Sequence, residues 1–271
     1  MRKAATDARG RLAVSHVLLL GAIFAFWYTM TTPGLVSLEF AKNTAFFFGQ
    51  PIEVMKVIWM WFTTGKIYPH LAITLTETML AFITGSVLGL VVGLWLALSP
   101  FASALADPYI KAANAMPRVI LAPIFAVWFG LGITSKVALG VTLVFFVVFF
   151  NVFQGIKEVS PTVLANARML GASKRQLLTS IYLPSATSWV FSSLHTSVGM
   201  AFVGAVVGEY LGSAKGVGYL ILQAEGVFDI NTVLAGILVL TACALLLDVI
   251  VTHVEARLLV WRPRAAETEA L

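Results

Sequence analysis

The chain has 271 residues, 59% hydrophobic and only 11% charged, with a mean hydropathy of +0.91. An ordinary soluble domain is about 45–50% apolar and about 25% charged, so this chain lacks the polar groups to cover a water-facing surface. The net charge of +5 comes without a basic run beside interleaved aromatics, which excludes nucleic acid as a partner; the single cysteine, Cys243, excludes an internal disulfide and a Cys-based metal site. An all-α integral membrane protein in a lipid bilayer is expected.

Arg2, Lys3, Arg9 and Arg11 precede an uncharged run from Leu12 to Leu38, broken at Pro33-Gly34. A signal peptide has a similar start, but this run is long enough to span and no A-x-A-like site follows it. The expectation is an uncleaved transmembrane helix at about 12–31, closing a first segment 1–31. Residues 32–69 mix Phe46, Phe47, Phe48, Trp59, Trp61 and Phe62 with Glu39, Lys42, Glu53, Lys56 and Lys66. No uncharged stretch there reaches the roughly 20 residues of a span. The aromatics suit an extracytoplasmic amphipathic helix at the membrane interface.

A second span is predicted at about 71–98, with Gly85, Gly89 and Gly93 on one face. Small residues at that spacing let helix backbones approach closely in lipid. Pro117 and Pro123 make the third span irregular; it is expected to begin near 108–112, to hold Arg118 close to the interface, and to end in a turn at Gly130 and Gly132. A fourth span follows at about 137–155, then a polar segment from Lys157 to Arg175. A fifth at about 186–207 leads through a Gly-rich loop to a sixth at about 232–252. Residues 70–254 thus form a five-helix core around a loop at 156–184, and 255–271 form a charged tail.

Six spans put both termini on one side. The segments on that side carry thirteen Lys+Arg, the opposite ones five, so the positive-inside rule makes the termini and the 156–184 loop cytoplasmic.

Catalytic motifs are missing. The one Gly-Lys pair, Gly65-Lys66, is followed by Ile67 rather than the Ser/Thr of a phosphate-binding loop. The four histidines lack metal-ligand spacing and no nucleophile elbow occurs, so neither a catalytic residue nor a metal site is expected. Ionisable groups inside apolar spans mark function by default. Glu77 lies inside the second span, Asp248 near the end of the sixth, and Glu209 just beyond the fifth. Glu77 and Glu209 are the candidates for a translocation path or gate, Glu209 by hydrogen-bonding loop N–H groups or by pairing with a cation such as Lys136 or Lys215. A secondary transporter usually shows more buried polar chemistry and an inverted repeat, and none is visible here.

The informative segment is Ala165-Asn166-Ala167-Arg168-Met169-Leu170-Gly171-Ala172-Ser173, followed by Ile181-Tyr182-Leu183-Pro184. It reads as a short helix stopped by Gly171, a second turn, and a Pro opening the next span. Val163, Leu164, Ala167, Met169 and Leu170 form an apolar side suited to a partner. This segment resembles the EAA loop of permease subunits of bacterial ATP-binding cassette importers, E-A-A-x3-G-x9-I-x-L-P. Ala167, Gly171, Ile181, Leu183 and Pro184 match at the family's spacing, while Ala165 stands for the Glu and Asn166 for the first Ala. The stretches "MPRVILAPIFAVWFGLGITSK" and "GEYLGSAKGVGYLI" resemble the branch that imports nitrate, taurine, aliphatic sulfonates and related anions. The resemblance implies the type I importer permease fold in a bacterial inner membrane, with two permease subunits as a homodimer. It also implies that 165–184 dock on separate ATPase subunits that use ATP and Mg, and that an extracytoplasmic substrate-binding protein delivers the solute. No cofactor is then expected on this chain, which is a transport subunit and not an enzyme.

Overall fold

The structure, a computed structural model, describes residues 2–33 and 35–258, with no side-chain detail for residues 2–11 and 13. Most of the predicted tail, from residue 259 on, lies outside the described residues, as do Arg262, Arg264 and the side chains of the four N-terminal cations. The helices are α1 Arg2–Thr31, α2 Leu38–Phe48, α3 Pro51–Thr63, α4 Ile67–Leu98, α5 Pro100–Ala115, α6 Ala122–Phe129, α7 Ile133–Lys157, α8 Pro161–Met169, α9 Lys174–Leu177, α10 Leu183–Gly212, α11 Val217–Gly226 and α12 Ile230–Leu258. Among the described residues five stretches are long and apolar enough to cross a membrane, in α1, α4, α7, α12 and the continuous helix Lys174–Gly212. The bent pair Pro100–Ala115 and Arg118–Phe129 brings the number to six if it is one crossing.

That pair corrects the expected third span. Its helix starts at Pro100 rather than near 108–112, stops at Ala115, and the chain turns by 85° before continuing. Pro117 is the cause: it disfavours helical angles at the residue before it, and Met116 adopts φ −71°, ψ 132°. The fifth span is likewise longer than 186–207. The helix is continuous from Lys174, because Pro184, which has no N–H to donate, is accommodated by a wide π turn at Leu178–Tyr182 in which the Leu183 N–H bonds to the Leu178 carbonyl. The single amphipathic helix expected in 32–69 is two helices, α2 and α3, and the Gly-rich loop before the sixth span contains α11.

By its contacts the chain forms two compact units. In the first, Met1–Tyr68 with Leu220–Val239, the Trp27 indole donates to the Phe48 carbonyl at 3.0 Å. Gly49 takes φ +65°, ending α2, and the Gln50 N–H donates to Asn231 Oδ1 at 2.7 Å.

In the second unit, Pro69–Tyr219 with Leu240–Leu271, the glycine stripe of α4 lies on α7 as its spacing predicts. A Cβ on Gly85 would come within 2.7 Å of Val144, one on Gly89 within 2.8 Å of the Phe145 carbonyl, and one on Gly93 within 3.0 Å of Val152. The most extensive helix pairing is α7 with α10, whose backbones touch at Gly140 and Gly204. Ala81, Val144, Val148, Val152, Ile156, Ala186 and Ala201 form the core where α4, α7 and α10 meet. Phe191, Val198 and Phe202 of α10 pack with Val251 of α12 in a second cluster.

Candidate functional site

Two places gather the predicted residues. The first is the elbow between α7 and α10. Pro161 opens α8, a position where its missing N–H costs nothing. At the other end the Gly171 N–H bonds to the Arg168 carbonyl and the Ala172 N–H to the Ala167 carbonyl, both at 3.0 Å. This 5→2 and 6→1 pairing is a Schellman stop, which needs a left-handed residue at Gly171, found at φ +80°. Ser173 then caps α9 reciprocally: its hydroxyl accepts the Gln176 N–H, and the Gln176 side chain accepts the Ser173 N–H. Ile181, Leu183 and Pro184 lie half-buried in the π turn and the start of α10.

Measured over the described residues, none of the nine residues of α8 is buried. Ala165 and Asn166 are exposed and Ala167 is half-buried. The apolar tip is the most uncovered part, with Met169 79% and Leu170 89% exposed. A short helix opened by Pro161 and stopped at Gly171 thus leaves an apolar tip uncovered.

The second place is polar and buried. Glu77 and Glu209 are both 0% exposed, on α4 and α10, and Lys136 on the first turn of α7 is 4% exposed. Lys136 Nζ stands 3.1 Å from Glu77 Oε1 and donates to Ser213 Oγ at 2.8 Å. Glu209 is not beyond the fifth span as the sequence suggested, but in the last turns of α10. Its Oε1 accepts the Thr74 hydroxyl and its Oε2 the Gly218 N–H, each at 2.6 Å. Thr74 Oγ1 in turn accepts the Val217 N–H at 2.9 Å. Gly216 and Gly218 leave the room: a Cβ on Gly218 would stand 2.6 Å from Glu209 Oε2, and one on Gly216 would overlap the carboxylate. Gly208 similarly makes way for the Lys136 stem. The turn 213–218 is thus fastened to α4, α7 and α10 by buried charge.

Of the sequence candidates, Glu77 and Glu209 come together, and the cation between them is Lys136. Sequence reasoning places Lys136 in an outer loop, one residue before the predicted helix. Asp248 stands apart from this cluster. Its Oδ1 lies 2.6 Å from His195 Nδ1, and Glu255 Oε2 lies 3.1 Å from His195 Nε2, joining α12 to α10. His195 and Glu255 carry no motif that would single them out.

Comparison with known proteins agrees with this architecture. Residues 85–260 match the family described as the binding-protein-dependent transport system inner membrane component. SsuC of Bacillus subtilis, a permease assigned to aliphatic sulfonates transport, is 31% identical over 246 residues, covering 91% of this chain and 87% of that protein. The taurine transport system permease protein TauC of Escherichia coli is 30% identical over 244 residues, with coverage of 89% and 87%. The formylaminopyrimidine transport permease protein ThiX of Halalkalibacterium halodurans is 33% identical over 197 residues, with coverage of 73% and 79%. In fold alone, the chain is similar to a crystal structure of an amino acid ABC transporter, with a TM-score of 0.53 at 20% identity over 73% of this chain and 95% of that one. The chain belongs to the inner membrane components of binding-protein-dependent transport systems, and is a permease subunit of an ATP-binding cassette importer.

Proposed function

We propose that this chain forms, as a homodimer, the path by which a small organic or inorganic anion such as nitrate, taurine or an alkanesulfonate enters a bacterial cell. A substrate-binding protein delivers the solute on the outer face. Two ATPase subunits, which hold the ATP and Mg, dock on the elbow 156–184 at the inner face. The observation that carries this reading is α8, stopped at Gly171 and uncovered, with its apolar tip at Met169 and Leu170. ATP-driven closure of the ATPases moves this tip, and the unbroken helix Lys174–Gly212 carries the movement to the buried cluster at its other end. A rigid element whose two positions are biased by a distant ligand is what alternating access requires. Glu77 and Glu209 then hold the outer gate closed by fastening the turn 213–218. Both termini are cytoplasmic, and 32–69 and 208–231 face outward.

The experiment is co-purification of the partner ATPase from the cognate operon with wild type and Leu170→Asp. The variant places a charge on an exposed position and leaves the bundle untouched, so it is expected to reach the membrane at wild-type level and lose the ATPase. Retention of the ATPase at wild-type stoichiometry would refute the docking role.

A further inference from the structure

Glu77, Glu209 and Lys136 are two acids and one base. All three lie out of water, so with every group ionised the cluster would bury an uncompensated negative charge, which apolar surroundings penalise heavily. The hydrogen bonds distinguish the two acids. Glu209 accepts one bond on each oxygen, from the Thr74 hydroxyl and the Gly218 N–H, as an anion does. Among the described residues neither oxygen of Glu77 receives an aligned hydrogen bond; Lys136 Nζ stands 3.1 Å from Oε1 as an ion pair and donates its aligned bond to Ser213 Oγ. Glu77 stands one turn along α4 from Thr74, whose hydroxyl bonds Glu209, so the two carboxyl groups share one buried pocket with Lys136. An ionised carboxylate is an acceptor only, so two of them in contact need one proton between them.

We propose that Glu77 carries that proton and donates it to Glu209, so that the Glu77 carboxylic acid, the Glu209 carboxylate and the Lys136 ammonium form a neutral buried trio. Glu77 is then a positioning residue: its O–H supplies the third donor to Glu209 and ties α4 to α10. This stands on the geometry of the cluster and holds whether or not the turn it supports is the outer gate.

Infrared difference spectroscopy of the purified protein reads the proton directly. Wild type minus Glu77→Gln should show the carbonyl band of a protonated carboxylic acid, present in wild type and lost in the variant. Melting temperatures give an independent reading. The amide N–H introduced by Glu77→Gln can replace the O–H as donor to Glu209, so this variant should melt within about 2 °C of wild type. Glu209→Gln instead turns an amide donor on Thr74 or Gly218, and its midpoint should fall by about 5 °C or more. The proposal is overturned if no protonated-acid band is lost, or if Glu77→Gln melts as low as Glu209→Gln. It is equally overturned if the band is absent and sodium chloride, but not choline chloride, raises the wild-type melting temperature, because a metal cation would then hold the place of the proton.

Discussion

At the residue scale, Lys136 decides how much charge the interior of the second unit can tolerate. Its ammonium faces Glu77 and lies in the field of Glu209, and removing one partner of a buried pair leaves the other uncompensated, at a cost of about 3–5 kcal/mol. Lys136→Met should therefore melt well below wild type in a thermal-shift assay in detergent; an unchanged midpoint would mean that the cluster is solvated. Gly218→Ala is a milder probe of the same place. Its Cβ would press on Glu209 Oε2 at 2.6 Å, and overpacking of this kind costs about 1–3 kcal/mol, so a lowered midpoint and a smaller yield are expected on the same assay. The two acids are legible in the sequence because a carboxylate interrupts an apolar run visibly. Lys136 is legible only in part: it is a candidate partner of Glu209, but it sits where the apolar run begins and reads as a flanking charge, and nothing there points to Glu77, which it faces. Nothing local marks Thr74 or the Gly216 and Gly218 cradle as belonging to Glu209, since those contacts join segments far apart in the chain.

At the scale of elements, the elbow is the most legible feature and the helix interruptions the least. The stop at Gly171 follows from one residue type, because left-handed backbone angles at a helix end favour glycine locally. No atom lies within 4 Å of a Cβ built on Gly171, so Gly171→Val meets no clash and acts through backbone strain alone, about 1–2 kcal/mol. That strain should unwind the end of α8, leaving membrane insertion intact while the ATPase dissociates or its substrate-stimulated hydrolysis is lost; wild-type stimulated hydrolysis in the variant complex would show that the Schellman stop is dispensable. The glycine stripe on α4 is equally readable, since periodicity sets which residues share a face. Gly89→Val tests it: with the Phe145 carbonyl 2.8 Å from the added carbon, α4 and α7 must separate, and a steep loss of folded protein on size-exclusion chromatography is expected. The bend at Met116-Pro117, the unbroken passage through Pro184 and the split of α2 from α3 are less legible. A proline states only that one N–H is missing; whether the helix breaks, as at Pro117, or widens into a π turn, as before Pro184, is decided by what packs around it.

At the scale of the whole molecule, the proposed orientation rests on the charge asymmetry of the loops. Single cysteines in a Cys243→Ala background test this with an impermeant maleimide on intact cells. Ser173 is exposed and suitable for the inner side, but Ser213 is half-buried and bound to Lys136, so the adjacent exposed Ala214 is the better outer position. Labelling at Ala214 and protection at Ser173 are expected, and the reverse pattern would invert the topology. The claim to which all of this leads is that ATP hydrolysis by docked partners drives a bound anion through this chain. Proteoliposomes containing the chain with its ATPase subunits, given the binding protein and a radiolabelled sulfonate or nitrate, test it most directly. The account predicts accumulation that requires ATP inside, the binding protein outside and the intact α8 tip, and that is abolished by Leu170→Asp. Uptake by this chain alone, driven by an ion gradient without ATP, would contradict it.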